Sequence, residues 1–452
     1  MEKELLKIVN YLNSNMAEYE RKEITELEEI VQRVMDDYKN SSFDFSNMKS
    51  ITLNQMGKKR SVRMYDPFTT EEILCVYIKR LIDRKTHVKY PNRNVFMCSL
   101  FDIIASLKDM TEFTVFKFDF KDFFNSVSSK YVYEKQLSSI EFEREHKNLI
   151  AKFCGESKYT YAGLNTSNVL CELIAKEFDK LVEVELYDRG LIYYKRYIDD
   201  SVLVFNTHIR ETECNSIISK IINKVFYDRN CSSHKYCKVK INETKTKYIS
   251  KNDLVTSGNT DTFDFLGYLF TISVDPSNKK TIFKYGITEE KINKYSKRID
   301  GMIREFKENA GTDIELLRHR IKAFASRTVY TTNRFNQKIW KTKGFISNYA
   351  ELRNRSENLD EKTRTFLIEG IKESFNRLGV DLPYFMKTTT AESAYSLYNN
   401  LIKNKTILLV EHLGTDYETL KKQCKKIGIE NTEGREYDSL VREYLIKVKV
   451  GH

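Results

Sequence analysis

Proline is scarce in this chain: there are four in 452 residues. With so few, and with lysine, asparagine, isoleucine and tyrosine abundant, linkers of the Pro/Gly/Ser kind are missing, and domain boundaries have to be read from changes of pattern. Long apolar runs are missing too. No stretch approaches the roughly 20 apolar residues that a bilayer span needs, and Ile407 to Val410 is a short run of the kind found in a core. The first residues, MEKELLKIVNYLNSNMAEYERKE, set Leu5, Leu6, Ile8, Val9 and Leu12 at helical spacing among charges, which predicts an amphipathic helix rather than a signal peptide. These absences exclude a membrane partner and point to the cytoplasm. The eight cysteines lack the spacing of a disulfide framework and fit reduced thiols. Cys231, His234 and Cys237 form one suggestive cluster, but no fourth ligand or partner pair accompanies them, so they read as a solvated loop rather than a zinc site.

What the chain does have is charge and apolar mass in globular proportion. It is 41% hydrophobic and 31% charged, enough to bury a sizeable core and to form two or three domains. Its 75 basic and 64 acidic residues give a net charge of +11, which suits a polyanionic partner without requiring one.

The pattern changes along the chain. Residues 1 to about 40 carry helical spacing, and Thr69 to Arg84 predicts a helix capped by Thr69 or Thr70 with glutamates in its first turn. Between them lies the basic segment GKKRSVRMYDP. From Phe113 the spacing turns strand-like: TVFKFDF is one strand, and YYKRYIDDSVLVF predicts two strands about a tight turn. After about residue 285 strand signals fade. Ile292, Tyr295, Ile299, Met302 and Phe306 mark one amphipathic helix; Leu316, Leu317, Ile321 and Phe324 mark another; Phe366, Leu367, Ile371, Phe375 and Leu378 mark a third, ending at Gly379. The expected organisation is a helical region over 1–110, an α/β region over 111–285, and an all-α C-terminal domain over 286–452.

The chemistry concentrates in two of these segments. Tyr197-Ile198-Asp199-Asp200 sits between two β-prone runs, which puts adjacent carboxylates on a hairpin turn. A DD turn is ordinarily just solvated. The second segment is VFKFDFKDFF, where Asp119 ends an apolar run; a carboxylate there is either an outward-facing edge residue or a ligand. Together they supply three oxygen-ligand carboxylates. That is what a pair of Mg²⁺ ions roughly 3.5–4 Å apart requires to clamp the attacking and leaving oxygens of a phosphoryl transfer, with Mn²⁺ a possible substitute.

The order of these and neighbouring segments resembles the successive palm motifs of reverse transcriptases over roughly residues 60 to 270. FDFKDFFNSV resembles the first motif, which implies Asp119 as a metal ligand and Phe124 as the aromatic gate that excludes a ribose 2′-hydroxyl. YAGLNTSNVLCE resembles the second, with Gly163, Thr166, Ser167 and Asn168 near the incoming nucleotide. It departs from the family at Asn165, where many members carry proline. RYIDDSVLVF matches the third motif with Asp199 and Asp200. INETKTKYI resembles the fourth, with Lys245 near the triphosphate, and FDFLGYLF resembles the primer-grip hairpin through Leu266 and Gly267. Lys59, Arg60 and Arg63 lie where the fingers of such enzymes present cations to the triphosphate; a basic surface loop is the plain alternative.

The resemblance implies a right-hand polymerase: an α/β palm with helical fingers, then a helical thumb. The expected activity is a magnesium-dependent, RNA-directed or template-independent DNA polymerase adding dNTPs to a 3′-hydroxyl or a protein hydroxyl. YPNRNVFMCSLFDIIASL, the short GLNTSN form and the helical extension look most like bacterial abortive-infection and other defence-associated reverse transcriptases. That subgroup implies anti-phage function and homo-oligomers or a complex with a second defence protein. Protein priming is also found there, for which the C-terminal tyrosines from Tyr330 to Tyr444 offer hydroxyls that the sequence does not rank. Three alternatives stand beside this reading: a templated enzyme copying a dedicated non-coding RNA, as retrons do; a catalytically silent palm that binds nucleic acid or assembles; and an RNA-directed RNA polymerase or nucleotidyl transferase using ribonucleotides, against which Phe124 speaks.

Overall fold

The computed structural model describes residues 1–16, 20–55, 58–275, 277–334, 337–387 and 394–450; the side chains at 55, 58–60, 333, 334 and 337 lie outside that description. The chain divides into two compact units, Met1–Asn259 and Thr260–His452.

In the first unit, helix α1 (Glu2–Asn15) buries Leu5, Ile8 and Val9, the stripe its sequence sets at helical spacing. Helix α2 (Ile24–Asn40) opens on a reciprocal capping box between Glu23 and Glu26. The basic segment forms a hairpin of strands β1 (Lys49–Gln55) and β2 (Lys58–Met64). Helix α3 (Thr70–Thr86) starts where expected, the Thr69 hydroxyl accepting from the Glu72 amide. Helices α4 (Arg93–Ser106), α5 (Arg144–Glu156), α6 (Ser167–Tyr187) and α7 (Glu211–Phe226) surround strands β3 (Thr114–Asp119), β4 (Leu191–Tyr197), β5 (Asp200–Phe205) and β6 (Lys247–Ser250) in sequence. These strands make one antiparallel sheet in the order β4-β5-β3-β6.

Every residue of β3 is buried, as its near-continuous apolar run demands of a central strand. Helix α6 covers the sheet through Leu170, Ile174, Phe178 and Val182. Phe118, Phe120 and Phe123 pack with Phe178 of α6 and Phe226 of α7, the Phe120 and Phe123 rings stacking at 4.8 Å. At about 1.5–3 kcal/mol for each fully buried side chain, this aromatic cluster fixes the end of β3 and the turn after it.

The second unit opens with an antiparallel sheet of β7 (Asp261–Phe265), β8 (Tyr268–Val274) and β9 (Thr281–Ile287). Helix α8 (Glu289–Glu308) then buries Tyr295, Ile299, Met302 and Ile303. After α9 (Ile314–Phe324) come strands β10 (Arg327–Arg334) and β11 (Gln337–Lys343). Helix α10 (Glu361–Leu378) is capped by Asp360 and stops at Gly379, whose φ of 61° is the left-handed C-cap the sequence predicts. Strand β12 (Thr406–Leu409) and helices α11 (Tyr417–Lys426) and α12 (Tyr437–Lys447) complete it.

One expectation is corrected here. The C-terminal region is not all-α: β10 and β11 form a hairpin and β12 joins it in parallel, giving a sheet in the order β11-β10-β12. Lysines interrupt the apolar spacing of β11, and β12 is only four residues long, so neither announces itself locally. The strands β7, β8 and β9 lie in the second unit.

Candidate active site

The antiparallel register of β3 and β5 sets Asp119 directly opposite Asp200. Asp199 stands beside them in the two-residue turn between β4 and β5, where Tyr197 pairs with Asp200, and its carbonyl accepts from the Phe120 amide at 3.0 Å. The three expected carboxylates are therefore on neighbouring backbone at one end of the central strands. Asp119 is only 4% exposed, so the outward-facing edge alternative does not apply.

Two lysines meet these acids. Lys245, carried on a short 3₁₀ turn after Asn242, donates to Asp119 Oδ2 at 2.6 Å, and the Asn242 amide donates to the Asp119 carbonyl at 2.7 Å. Lys117 lies 3.0 Å from Asp200 Oδ1. Strand alternation puts Lys117 and Asp119 on one face, so the lysine is the diagonal neighbour of Asp200. That oxygen is buried, and the Lys117 ammonium compensates it. Burial pushes the Asp200 carboxyl up to about 6, with Asp119 and Asp199 adding to the rise against the pull of Lys117. Burial would lower the Lys245 ammonium, but Asp119, with Asp199 and Asp200 beyond it, holds it above its ordinary value. The site has more negative charge than its lysines neutralise, which suits a cation.

The hairpin turn is strained and braced. Ile198 has φ 61°, a conformation that a β-branched residue adopts at a cost of roughly 1–3 kcal/mol. Arg196, 5% exposed, donates to the Ile198 carbonyl at 2.7 Å. The same guanidinium bonds Glu172 at 2.7 and 3.1 Å and Asp179 at 2.8 and 2.9 Å, both on α6. The Tyr194 hydroxyl donates to Asp179 at 2.6 Å. Burial opposes the charge on Arg196, but Asp179 and Glu172 outweigh it and hold its pKa well above the ordinary value. Arg196 and Lys117, which contact the Ile198 carbonyl and Asp200, are residues that motif reading passes over. The strand alternation of Lys117-Phe118-Asp119 could have found the second.

Around the acids, the expected nucleotide-binding residues divide. Arg63 and Gly163 come together: the Arg63 amide donates to the Ala162 carbonyl at 2.8 Å, and its guanidinium lies 3.8 Å over the Tyr161 ring. Gly163 has φ 107°, and a Cβ there would stand 2.4 Å from the Arg63 carbonyl oxygen, so only glycine fits. Ser167 turns inward, its buried hydroxyl donating to the Tyr161 carbonyl and bracing the loop. Thr166 is likewise buried, with Cys75 Sγ 3.6 Å away, whereas Asn168 is exposed. Phe124 is half-buried just past the Asp122 turn, and its carbonyl accepts from Thr160 at 2.8 Å. The side chains of Lys59 and Arg60 lie outside the described residues.

Leu266 and Gly267 form the turn of the β7–β8 hairpin in the second unit, both at positive φ, 50° and 87°, as a type I′ turn requires. The Cys231–Cys237 segment is not a freely solvated loop. Ser233 is buried and pinned to Glu134 through its amide and hydroxyl at 3.0 and 2.6 Å, and Cys237 is buried.

Among the described residues, no group of three or more His, Cys, Asp or Glu side chains is arranged to hold a metal ion, and no helix is long and apolar enough to cross a membrane. No protein-family model and no curated protein matches the chain. Among solved structures it is similar to the telomerase of Candida albicans in complex with a TWJ fragment of telomeric RNA, at 12% identity over 91% of this chain and 67% of that one, with a TM-score of 0.38.

Proposed function

We propose that the chain is a nucleotidyl polymerase of the reverse-transcriptase kind, with a palm built on the β4-β5-β3-β6 sheet. One observation carries the reading: Asp119 lies opposite Asp200 with Asp199 in the adjoining turn, in a family-like motif order. Asp119, Asp199 and Asp200 would hold divalent ions, and hard carboxylate oxygens with no histidine or thiol among them favour Mg²⁺ or Mn²⁺. Bound there, such ions lower the pKa of an attacking hydroxyl and neutralise triphosphate charge.

The chain's own residues supply positioning. Lys245, 56% exposed at its side chain, is free to swing from Asp119 to a phosphate oxygen. Lys117 stays buried and offsets part of the rise that burial imposes on the Asp200 carboxyl. Arg63, 3.8 Å over the Tyr161 ring, presents a guanidinium beside the Gly163 loop, and Phe124 offers a ring against the sugar. A dNTP and a nucleic-acid strand are the partners this arrangement suits. The resemblance to defence-associated enzymes supports an anti-phage setting, with oligomeric assembly.

A second reading has its own observation. Asp119 and Asp200 are each met by a lysine, which a palm retired from catalysis would also show. To separate the two, the protein purified with its bound nucleic acid is incubated with Mg²⁺ and dNTPs beside an Asp199→Ala/Asp200→Ala control. Growth of DNA that the control lacks supports the polymerase; equal signal from both, or none under any condition, leaves the silent palm. Whether product forms without added template, and whether it stays attached to protein, distinguishes untemplated or protein-primed synthesis from copying of a bound RNA.

A further inference from the structure

Helix α11 sorts its lysines by face. Lys421 and Lys425 are both neutralised by Glu433, at 2.8 Å each. Lys422 and Lys426, one residue further round the helix, have no acidic partner among the described residues. They line a cleft of about 300 Å³ with Arg318, His319 and Lys322 of α9 and with Tyr395. Arg318 and Lys322 are four residues apart on their helix, as are Lys422 and Lys426 on theirs. Each is a like-charge pair that opposes helix formation, and the two pairs line one cavity.

Among the described residues, the only carboxylate paired with any of these cations is Glu315, which meets Arg318 at 2.8 Å and accepts from the Tyr384 hydroxyl at 3.1 Å. The cleft therefore carries an uncompensated charge. Burial lowers the Lys322 ammonium, with Arg318 and Lys405 adding to the effect. Burial and the fields of Arg318, Lys322 and Lys426 also keep His319 neutral, its Nδ1 hydrogen-bonded with the Tyr444 hydroxyl at 2.8 Å.

We propose that this cleft binds clustered phosphates, with Arg318, Lys322, Lys422 and Lys426 as the donors. Cations left together at the edge of a hydrophobic core raise the free energy of the fold unless an anion relieves them. Their number suits several phosphate charges better than a lone carboxylate, and the cavity is at the size of nucleotide-class sites. The chemistry is shared by a free oligophosphate chain, as on a nucleotide, and by the backbone of a nucleic-acid strand. No residue of the carboxylate site takes part, so the inference stands or falls apart from the polymerase reading.

The test uses the full chain in EDTA, which silences metal-dependent binding at Asp119. Inorganic tripolyphosphate and a short single-stranded oligonucleotide are titrated separately into wild type, Lys422→Gln/Lys426→Gln and Lys421→Gln/Lys425→Gln. The two variants remove the same charge from the same helix, on different faces. Affinity at least tenfold weaker in the 422/426 variant, with less than a twofold change in the 421/425 variant, is the expected result. If tripolyphosphate shows this difference the source is a free oligophosphate; if only the oligonucleotide does, it is a strand. Equal weakening by both variants, or no binding of either probe to wild type, overturns the proposal. The 422/426 variant should also melt no lower than wild type, since it relieves repulsion; a lower melting temperature would instead mark these lysines as structural.

Discussion

The Arg196 guanidinium joins the Ile198 carbonyl, inside the strained turn that carries Asp199, to two carboxylates of helix α6. The turn is thus held from behind by a buried ion network. Arg196→Ala would leave Glu172 and Asp179 without their partner. We expect a loss of about 3–5 kcal/mol, read by equilibrium denaturation, together with loss of any polymerase activity. Arg196→Lys, which cannot bridge both acids and the carbonyl in one plane, should retain part of the stability; a variant as stable as wild type would remove the brace from the account.

Gly163 is tested by adding one carbon. Its positive φ and the 2.4 Å gap to the Arg63 carbonyl mean that Gly163→Ala must push β2 away from the Tyr161 loop. The expected cost is at least about 1 kcal/mol from the backbone conformation alone, seen as a lowered melting temperature and faster proteolysis within residues 49–64. Unchanged proteolysis would show that the hairpin does not depend on this contact.

Metal should stabilise the first unit if the carboxylates hold it. At a Mg²⁺ concentration ten times its dissociation constant, linkage gives about 1.4 kcal/mol, a rise in melting temperature that Asp119→Ala and Asp200→Ala should both abolish. Calcium-free magnesium titrations followed by calorimetry read it directly, and equal shifts in the variants would assign the metal elsewhere.

Phe124 bears on sugar choice. If its ring is the gate, Phe124→Ala should raise ribonucleotide incorporation relative to deoxyribonucleotide by one to two orders of magnitude, on the order of the 1.4–2.7 kcal/mol that a lost steric contact is worth. Unchanged sugar selectivity in competition assays removes the assignment.

The second unit should lose stability in mild acid. His319 has its pKa lowered to about 4 by burial and by the neighbouring cations, whereas in the unfolded chain it titrates near 6.5. Between these values the unfolded state binds the extra proton, so stability is full above about 6.5 and falls as the pH drops towards 4, by up to about 3 kcal/mol. His319→Gln should flatten that part of the profile; an unaltered slope would assign it to other groups.

How much of this was legible in the sequence varies by residue. Strand β3 and the β4–β5 hairpin announce themselves, because Val115, Phe116 and Phe118 give a central strand its apolar run and two carboxylates between β-prone runs favour a turn. The opposition of Asp119 and Asp200 follows once the strands pair. The Arg196 network is not legible, since its partners lie 17 and 24 residues away on a helix and only packing brings them together. The Ser167 hydroxyl bond is hidden for a related reason: the motif marks a small residue there, while only the folded turn directs its hydroxyl to the Tyr161 carbonyl. In the sheet of β10, β11 and β12, the lysines of β11 blur the hairpin's apolar spacing, and the parallel pairing of β12 with β10 is not a local property of either segment.

That parallel pairing has a consequence for how the protein is made. Arg327 to Tyr330 align with Thr406 to Leu409, and the core around Tyr330 and Leu409 also draws on Leu420, Tyr437 and Tyr444. Closure of such a loop has to precede its reward. During synthesis, β10 therefore emerges from the ribosome well before its partner and waits with one edge unsatisfied. A nascent chain stalled short of residue 406 should be protease-sensitive throughout this sheet, acquiring resistance in a single step once the last helices are released.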